Sequence, residues 1–328
     1  MKHMSKLAFL AAAGMASAGA QAAEFEVADG TTLLLGGKID VLYRYDDRNN
    51  GKDDTKLEDD GSLFAIGGER DLGNGITAYV DLEFDFNVFG EGDGNVGRDN
   101  TRFGFVGDFG EVQAGDSDSI YEDVIIDATD PFEDASLETV SGTEEKSMVT
   151  YYSPEMDGFS FALQGRHNNR DNASAKTSLL AAVQYEVGNV LLAAAYDSRG
   201  SVDADDGNDF KSEDHLVGVS AIAALTDQLD VAFKFSQQND QDGTDTDFTS
   251  IAAVYSYGPG DLYGQLQSVD PSGGNSRSQA AAGVNYEIAS DVVIFAEYGD
   301  LDRVVDGTIQ GDDVKTVKRA LVGLNLEF

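Results

Sequence analysis

The chain of 328 residues has no cysteine and no tryptophan, only 4 prolines and 3 histidines. Without cysteine there is no thiol nucleophile, no thiolate metal site and no disulfide, so the fold must hold on packing and hydrogen bonds alone. Positive charge is scarce: 22 Lys and Arg stand against 60 Asp and Glu. Such a field repels nucleic acid and anionic surfaces and draws cations; the same acidity also suits solubility in saline surroundings. Long apolar runs are missing too. After residue 22 no stretch reaches the ~18 residues of a spanning helix.

What is present begins with "MKHMSKLAFLAAAGMASAGAQA". Lys2 and Lys6 precede an apolar, small-residue stretch from Leu7 to Ala18, and Ala20-Gln21-Ala22 is a small-x-small cleavage site. This reads as a secretory leader over 1–22, removed before folding. Its loss leaves 20 bases, 60 acids and a net charge of −40. No linker or shift of composition divides the rest, so 23–328 is read as one domain.

The dominant pattern has a period of two. In "ITAYVDLEFDF", Ala78, Val80, Leu82, Phe84 and Phe86 share one face, and Thr77, Tyr79, Asp81, Glu83 and Asp85 the other. "LDVAFKF" and "FTSIAAVYSY" alternate likewise. Each is a strand with one apolar and one wet face. About sixteen strands follow, beginning near Leu33, Leu63, Ile76, Thr101, Glu111, Ser147, Phe159, Thr177, Asn189, His215, Leu229, Phe248, Leu262, Arg277, Asp291 and Lys318. Tight turns such as Leu72-Gly73-Asn74-Gly75 alternate with long acidic segments at 46–61, 87–100, 117–145, 197–213, 238–246 and 301–315.

This pattern predicts an all-β fold: a closed antiparallel transmembrane barrel with short periplasmic turns and long extracellular loops. The apolar faces then meet lipid, and closure satisfies every backbone group. A mean hydropathy of −0.28 is compatible with a membrane, because only alternate residues need be apolar. Tyr43, Tyr45, Phe84, Phe86, Tyr151, Phe159, Tyr255, Tyr257, Tyr286 and Tyr298 are the candidate interfacial aromatics. A secreted β-sandwich also alternates, but needs neither sixteen strands nor one-sided long loops. At the end of the chain, Phe328, Leu326, Leu324, Val322 and Ala320 form an apolar row opposite Glu327, Asn325, Gly323 and Arg319. The row reads as a closing strand and a signal to the barrel assembly machinery.

Several segments together resemble the Gram-negative general diffusion porins, sixteen-stranded trimers of the outer membrane. "LGGKIDVLYRY" is similar to that family's first strand and "ERDLGNGITAYVDLEFDF" to its second and third strands about their turn. "NTRFGFVGDFGEVQAGD" resembles the fourth and fifth, and "MVTYYSPEMDGFSFALQ" the sixth and seventh. The resemblance implies a homotrimer in outer-membrane lipid and lipopolysaccharide, and passive diffusion of small hydrophilic solutes. It implies that the third long loop, 117–145, folds into the barrel and narrows it. That loop carries Asp118, Glu122, Asp123, Asp127, Asp130, Glu133 and Asp134. The family opposes such acids to wall bases, and Lys38 and Arg102 occupy two of those places; Lys146 lies near a third, and Leu63 stands where Arg is common. Asp81, Glu83 and Asp85 on the wall add acid, offset by Arg44 and Arg166, so the pore is expected to prefer cations.

Other chemistry finds little support. His167 and His215 stand at strand ends with no nucleophile beside them, so a Ser-His hydrolase is not indicated. Paired acids such as Asp81 and Glu83 are expected in any acidic lumen. The loops "DADDGND" and "NDQDGTDTD" lack the twelfth-position Glu of a calcium hand. No cofactor and no metal are expected. A saccharide-specific channel would need an aromatic ladder, for which only Tyr79 and Tyr263 are available. An adhesin acting through its loops is the remaining rival.

Overall fold

The computed structural model describes residues 23–47, 53–90, 96–98, 100–137, 139–140, 147–167, 177–199, 215–239, 245–304 and 314–328. The leader and Lys146 lie outside them, as does "DADDGND". The described residues form one antiparallel sheet of eighteen strands. These are β1 (Ala23–Ala28), β2 (Thr31–Asp47), β3 (Asp54–Asp59), β4 (Leu63–Gly73), β5 (Ile76–Asp85), β6 (Thr101–Gly107), β7 (Gly110–Asp116), β8 (Met148–Tyr152), β9 (Phe159–His167), β10 (Thr177–Val187), β11 (Val190–Asp197), β12 (His215–Thr226), β13 (Leu229–Asn239), β14 (Thr246–Ser256), β15 (Asp261–Pro271), β16 (Arg277–Ala289), β17 (Val292–Val304) and β18 (Val314–Glu327).

The wall has sixteen positions. β4 to β18 pair in sequence, β18 pairs with the upper half of β2, and β2 pairs with β4 to close the ring. β1 and β3 were not anticipated. β3 lies in the segment read as a loop at 46–61, and continues the line of β4 along β2 after a break at 60–62. β1 pairs with Thr31–Leu35 below the end of β18, on the edge that β18 leaves free. The segment read as a loop at 301–315 is shorter, since β17 runs to Val304 and β18 starts at Val314.

Side-chain parity follows the sequence. Along β5, Tyr79, Asp81 and Glu83 are buried in the interior while Val80 is exposed on the outside. Tyr43, Tyr45, Phe159, Tyr255, Tyr286 and Tyr298 are likewise exposed on the outer face. The β4–β5 turn works because Gly73, Asn74 and Gly75 all take positive φ (80°, 57° and 74°), which suits glycine and, next best, asparagine. At the closure, Gly37 and Phe328 exchange two backbone hydrogen bonds of 2.9 Å, and the Phe328 ring lies over Gly37 on the lipid side.

Candidate functional site: the loop inside the barrel

The segment from Ser117 to Val140 crosses the interior. It opens with one π-helical turn, Glu122–Ile126, continued by a short turn, Asp127–Thr129. Ile120, Tyr121, Val124, Ile125 and Ile126 are buried against Ala162, Leu180, Ala182, Ala193, Ala195, Leu216, Phe248 and Val269 of the inner wall. Polar ties hold the same stretch: Gln164 Nε2 donates to Asp118 O (3.1 Å) and Ser220 Oγ to Val124 O (2.6 Å). Gly218 gives the turn its room. A methyl there would stand 2.6 Å from Ile125 Cγ2 and 2.7 Å from the Tyr121 hydroxyl, closer than such atoms pack.

The tip is anchored across the barrel by a residue that sequence reasoning missed. Glu297 of β17 accepts backbone N–H bonds from Glu133 (2.9 Å), Asp134 (3.2 Å) and Ala135 (2.9 Å), and the Tyr263 hydroxyl (2.8 Å). Arg319 Nη1 donates to Asp134 O and Oδ2, both at 3.0 Å, and Arg44 Nη1 to Asp134 Oδ2 at 3.3 Å. Inward parity of Glu297 and Arg319 in "IFAEYGD" and "VKRALVG" was the available signal. Leu137 then packs on Ala281 and Leu301. The loop thus lies along the wall from β9 round to β18 and reaches β2 at Leu42 and Arg44; no apolar cluster among the described residues joins it to β4–β7, so the opening lies on that side.

The anticipated residues divide accordingly. Asp118, Asp127 and Glu133 are exposed to the opening, with Glu122 and Asp123 half-buried beside them. Asp130 is turned partly into the loop itself, where the Phe132 N–H donates to its Oδ1 (3.3 Å). Enclosure by the barrel, then repulsion from Glu122, Asp130 and Asp118, pushes Asp127 up to about 7. Asp123 is raised well above the carboxylate range by burial, then by Asp118, Asp127 and Glu122.

On the wall, Arg102 is ion-paired with Asp81 through Nε (3.1 Å) and Nη2 (2.8 Å), and Asn100 Nδ2 donates to Glu83 (3.1 Å). Arg44 bridges Glu58 (2.7 Å) and Asp134. Two expectations need correction. Asp85 is exposed at the end of β5 against Gly97, at the mouth rather than on the wall. Arg166 does not face the open lumen: it is buried behind the loop, with both Asp197 oxygens 2.9 Å from Nη2 and Ser178 Oγ 2.8 Å from Nε. Its partner is Asp197 at the end of β11, an inward acid that sequence reasoning did not single out.

Residues 7–305 match the Gram-negative porin family. The chain belongs to that family. It is 30% identical over 305 residues to the monosaccharide porin of a Halomonas species and to the major outer membrane protein of Halomonas elongata, in each case over 84% of this chain and 83% of the relative. The fold is that of the anion-selective porin from Comamonas acidovorans, with a TM-score of 0.72, 16% identity and coverage of 91% of this chain and all of that one. A loop-deletion mutant of OmpT from Vibrio cholerae superposes with a TM-score of 0.68 at 18% identity, over 92% of this chain and all of that one. The protein is therefore an outer-membrane channel of a non-enzymatic family. In this porin the barrel supplies the frame and the 117–140 segment lies inside it.

Proposed function

We propose that this porin is a cation-preferring pore for passive diffusion of small hydrophilic solutes and ions, with the 117–145 loop as its constriction. The observation that carries the reading is acid on both sides of the opening. Asp118, Asp127 and Glu133 face it from the loop, and Glu83 stands on the wall beside an Asp81 whose charge is matched by Arg102. The opposing bases are locally neutralised: Arg102 by Asp81, and Arg44 by Glu58 and Asp134. Two charges ~8 Å apart interact by roughly 0.5 kcal/mol in water and about four times that at an effective dielectric near 20. A few such interactions bias permeation several-fold, since ~1.4 kcal/mol is a factor of ten.

The test is the reversal potential across a KCl gradient. Cation preference is expected at about 0.1 M and a weaker one at about 1 M, where the screening length falls from ~10 to ~3 Å. Changing Asp127, Asp130 and Glu133 together to Asn or Gln is expected to reduce it. Anion preference in the wild type, or no dependence on salt, defeats the reading. The same reading takes the protein as a homotrimer, inserted by the barrel assembly machinery into lipid and lipopolysaccharide after its leader is cleaved. Native mass and N-terminal sequencing of the membrane form test both.

A relative that carries the name monosaccharide porin raises saccharide passage. Tyr79 and Tyr263 do not supply a stacking ladder for it. Both are buried, with their hydroxyls on Glu111 and Glu297. Sugars then pass as neutral solutes, and glucose is not expected to block the KCl current.

A further inference from the structure

Tyr263 of β15, Gly283 of β16 and Glu297 of β17 stand side by side across three strands. A methyl at Gly283 would lie 2.3 Å from Tyr263 Cε2, 2.5 Å from Cζ and 2.8 Å from the hydroxyl. The tyrosine ring therefore lies over the glycine, in space that any side chain on β16 would fill. That posture carries its hydroxyl past β16 to Glu297 Oε1 (2.8 Å). The same oxygen accepts the Glu133 N–H (2.9 Å), while Oε2 accepts those of Asp134 (3.2 Å) and Ala135 (2.9 Å).

Phe132, the residue before this run, meets the Tyr263 ring edge-on, with centroids 5.3 Å apart and planes at 68°. It also packs on the cluster of Leu42, Phe295 and Leu321. Phe295 repeats the posture: it stands opposite Gly323 of β18, where a methyl would lie 2.2 Å from its ring. With Phe132 turned to the wall, Glu133 is left exposed. A second tyrosine is laid the same way where the loop begins. Tyr79, Gly104 and Gln113 stand side by side on β5, β6 and β7, and a methyl at Gly104 would lie 2.8 Å from the Tyr79 hydroxyl. That hydroxyl reaches Glu111 and Gln113 Oε1 (3.1 Å), and Gln113 Nε2 donates to Ser117 Oγ (3.4 Å).

We infer that Tyr263 is a positioning residue for the loop tip. Laid over Gly283, it turns the Glu297 carboxylate toward the three backbone donors and backs the ring of Phe132. A carboxylate can receive three consecutive N–H groups only in one orientation, and a side chain holds such an orientation when its neighbours lock it. Gly283 is the residue that makes the posture possible. The consequence for permeation rests on the constriction reading above and deepens it: the tip is held by a preformed wall socket, from which Glu133 points toward the opening.

The chain has no cysteine, and Ala135 is fully buried beneath the tip. Ala135→Cys therefore supplies one thiol that a methanethiosulfonate reagent reaches only when the tip lifts. The test is the labelling rate of that thiol in the full-length folded barrel, with single-channel recording in about 1 M KCl alongside. Tyr263→Phe is expected to raise the rate roughly tenfold, the effect of one hydrogen bond to a charged group. It is expected to add nothing once Glu297→Gln is present, because the hydroxyl acts through that carboxylate. Gly283→Ala, which pushes the ring aside, is expected to match or exceed Tyr263→Phe, and Tyr79→Phe to leave the rate unchanged. An unchanged rate in Tyr263→Phe, a gain that adds in full to that of Glu297→Gln, or an equal gain from Tyr79→Phe overturns the positioning role. Faster labelling with wild-type conductance and noise leaves that role standing and overturns the constriction reading alone.

Discussion

Glu297→Gln is expected to release the loop tip without unfolding the barrel. The carboxylate accepts three consecutive backbone N–H bonds at 2.9, 3.2 and 2.9 Å and a tyrosine hydroxyl at 2.8 Å. Hydrogen bonds to a charged group contribute about 1.5–3 kcal/mol each. An amide removes the charge, keeps one acceptor oxygen and turns an NH2 toward backbone donors, so about 3–6 kcal/mol of tip docking is lost. Since 1.4 kcal/mol is tenfold, the docked-to-released ratio falls by roughly 10²–10⁴. Arg319 and Arg44 still hold the Asp134 side chain, and the apolar turn stays seated, so the change is confined to the backbone about Glu133 and Ala135, which is loosened. The assay is single-channel recording in 1 M KCl, after confirming a heat-modifiable folded barrel. The expected result is a larger mean conductance with added open-channel noise, and a smaller change for Glu297→Asp. A folded Glu297→Gln pore with wild-type conductance and noise refutes the anchoring role.

Gly218→Val is expected to unseat the other end of the loop, because the new side chain meets Ile125 and Tyr121; overpacking of this kind costs ~1–3 kcal/mol, and unchanged conductance in the folded variant counts against a tight seat. Deleting Phe328 removes two backbone hydrogen bonds and the ring over Gly37, so less heat-modifiable barrel is expected; normal levels would leave the closing strand indifferent to its last residue. Cation preference is expected to fall between pH 8 and pH 5, as Asp127 takes up its proton near 7. The sign for seating is opposite: from 3.8 to about 7 the seated loop holds more protons than a loop released into water, so its seat weakens as pH rises through that window. A reversal potential flat from pH 8 to pH 5 excludes Asp127 as a contributor.

The barrel was legible because lipid and water impose opposite demands on alternate residues. Where both solvents are present, as along Tyr79–Glu83 of β5 and along β13, alternation and burial agree on the face of each side chain. The two unforeseen strands are short and lie where that contrast fades. β3 is "DTKLED", polar on both faces, and β1 is exposed throughout. The pairings of Arg102 with Asp81 and of Arg319 with Asp46 and Asp134 were not readable, because they join residues up to 273 apart and depend on register. Parity alone put Arg166 in the lumen. It could not tell an open lumen from the part of the wall that the loop covers.

That covered part does carry a signal in the sequence. In "TSLLAAVQYEV", "VLLAAAYD" and "HLVGVSAIAALT", the inner faces are mostly apolar or small between Ser178, Gln184, Asp197 and Ser220, whereas the inner faces of β5 and β13 carry acids or lysine. A water-filled lumen has no use for Leu180, Ala182, Ala193, Ala195 and Leu216 on its inner surface, so something apolar must cover them. The loop segment "IYEDVIID" is built to do so. Ile120, Tyr121, Val124 and Ile125 fall on one side of its turn, and Glu122, Asp123 and Asp127 are left toward the passage. Loss of alternation on three adjacent strands and an amphipathic turn in the loop are two halves of one hydrophobic contact. The contact decides which wall the loop rests on, and therefore leaves its acids toward the side of β4–β7, where Glu83 already stands. The selectivity proposed for this pore follows from that seating. Replacing Ile125 by Asp is the sharpest single challenge to it: the turn is expected to leave the wall, its acids to lose their fixed place, and cation preference to weaken even though one negative charge has been added. Stronger cation preference in a folded Ile125→Asp pore would mean that the amount of acid in the lumen governs selectivity, and the seating does not.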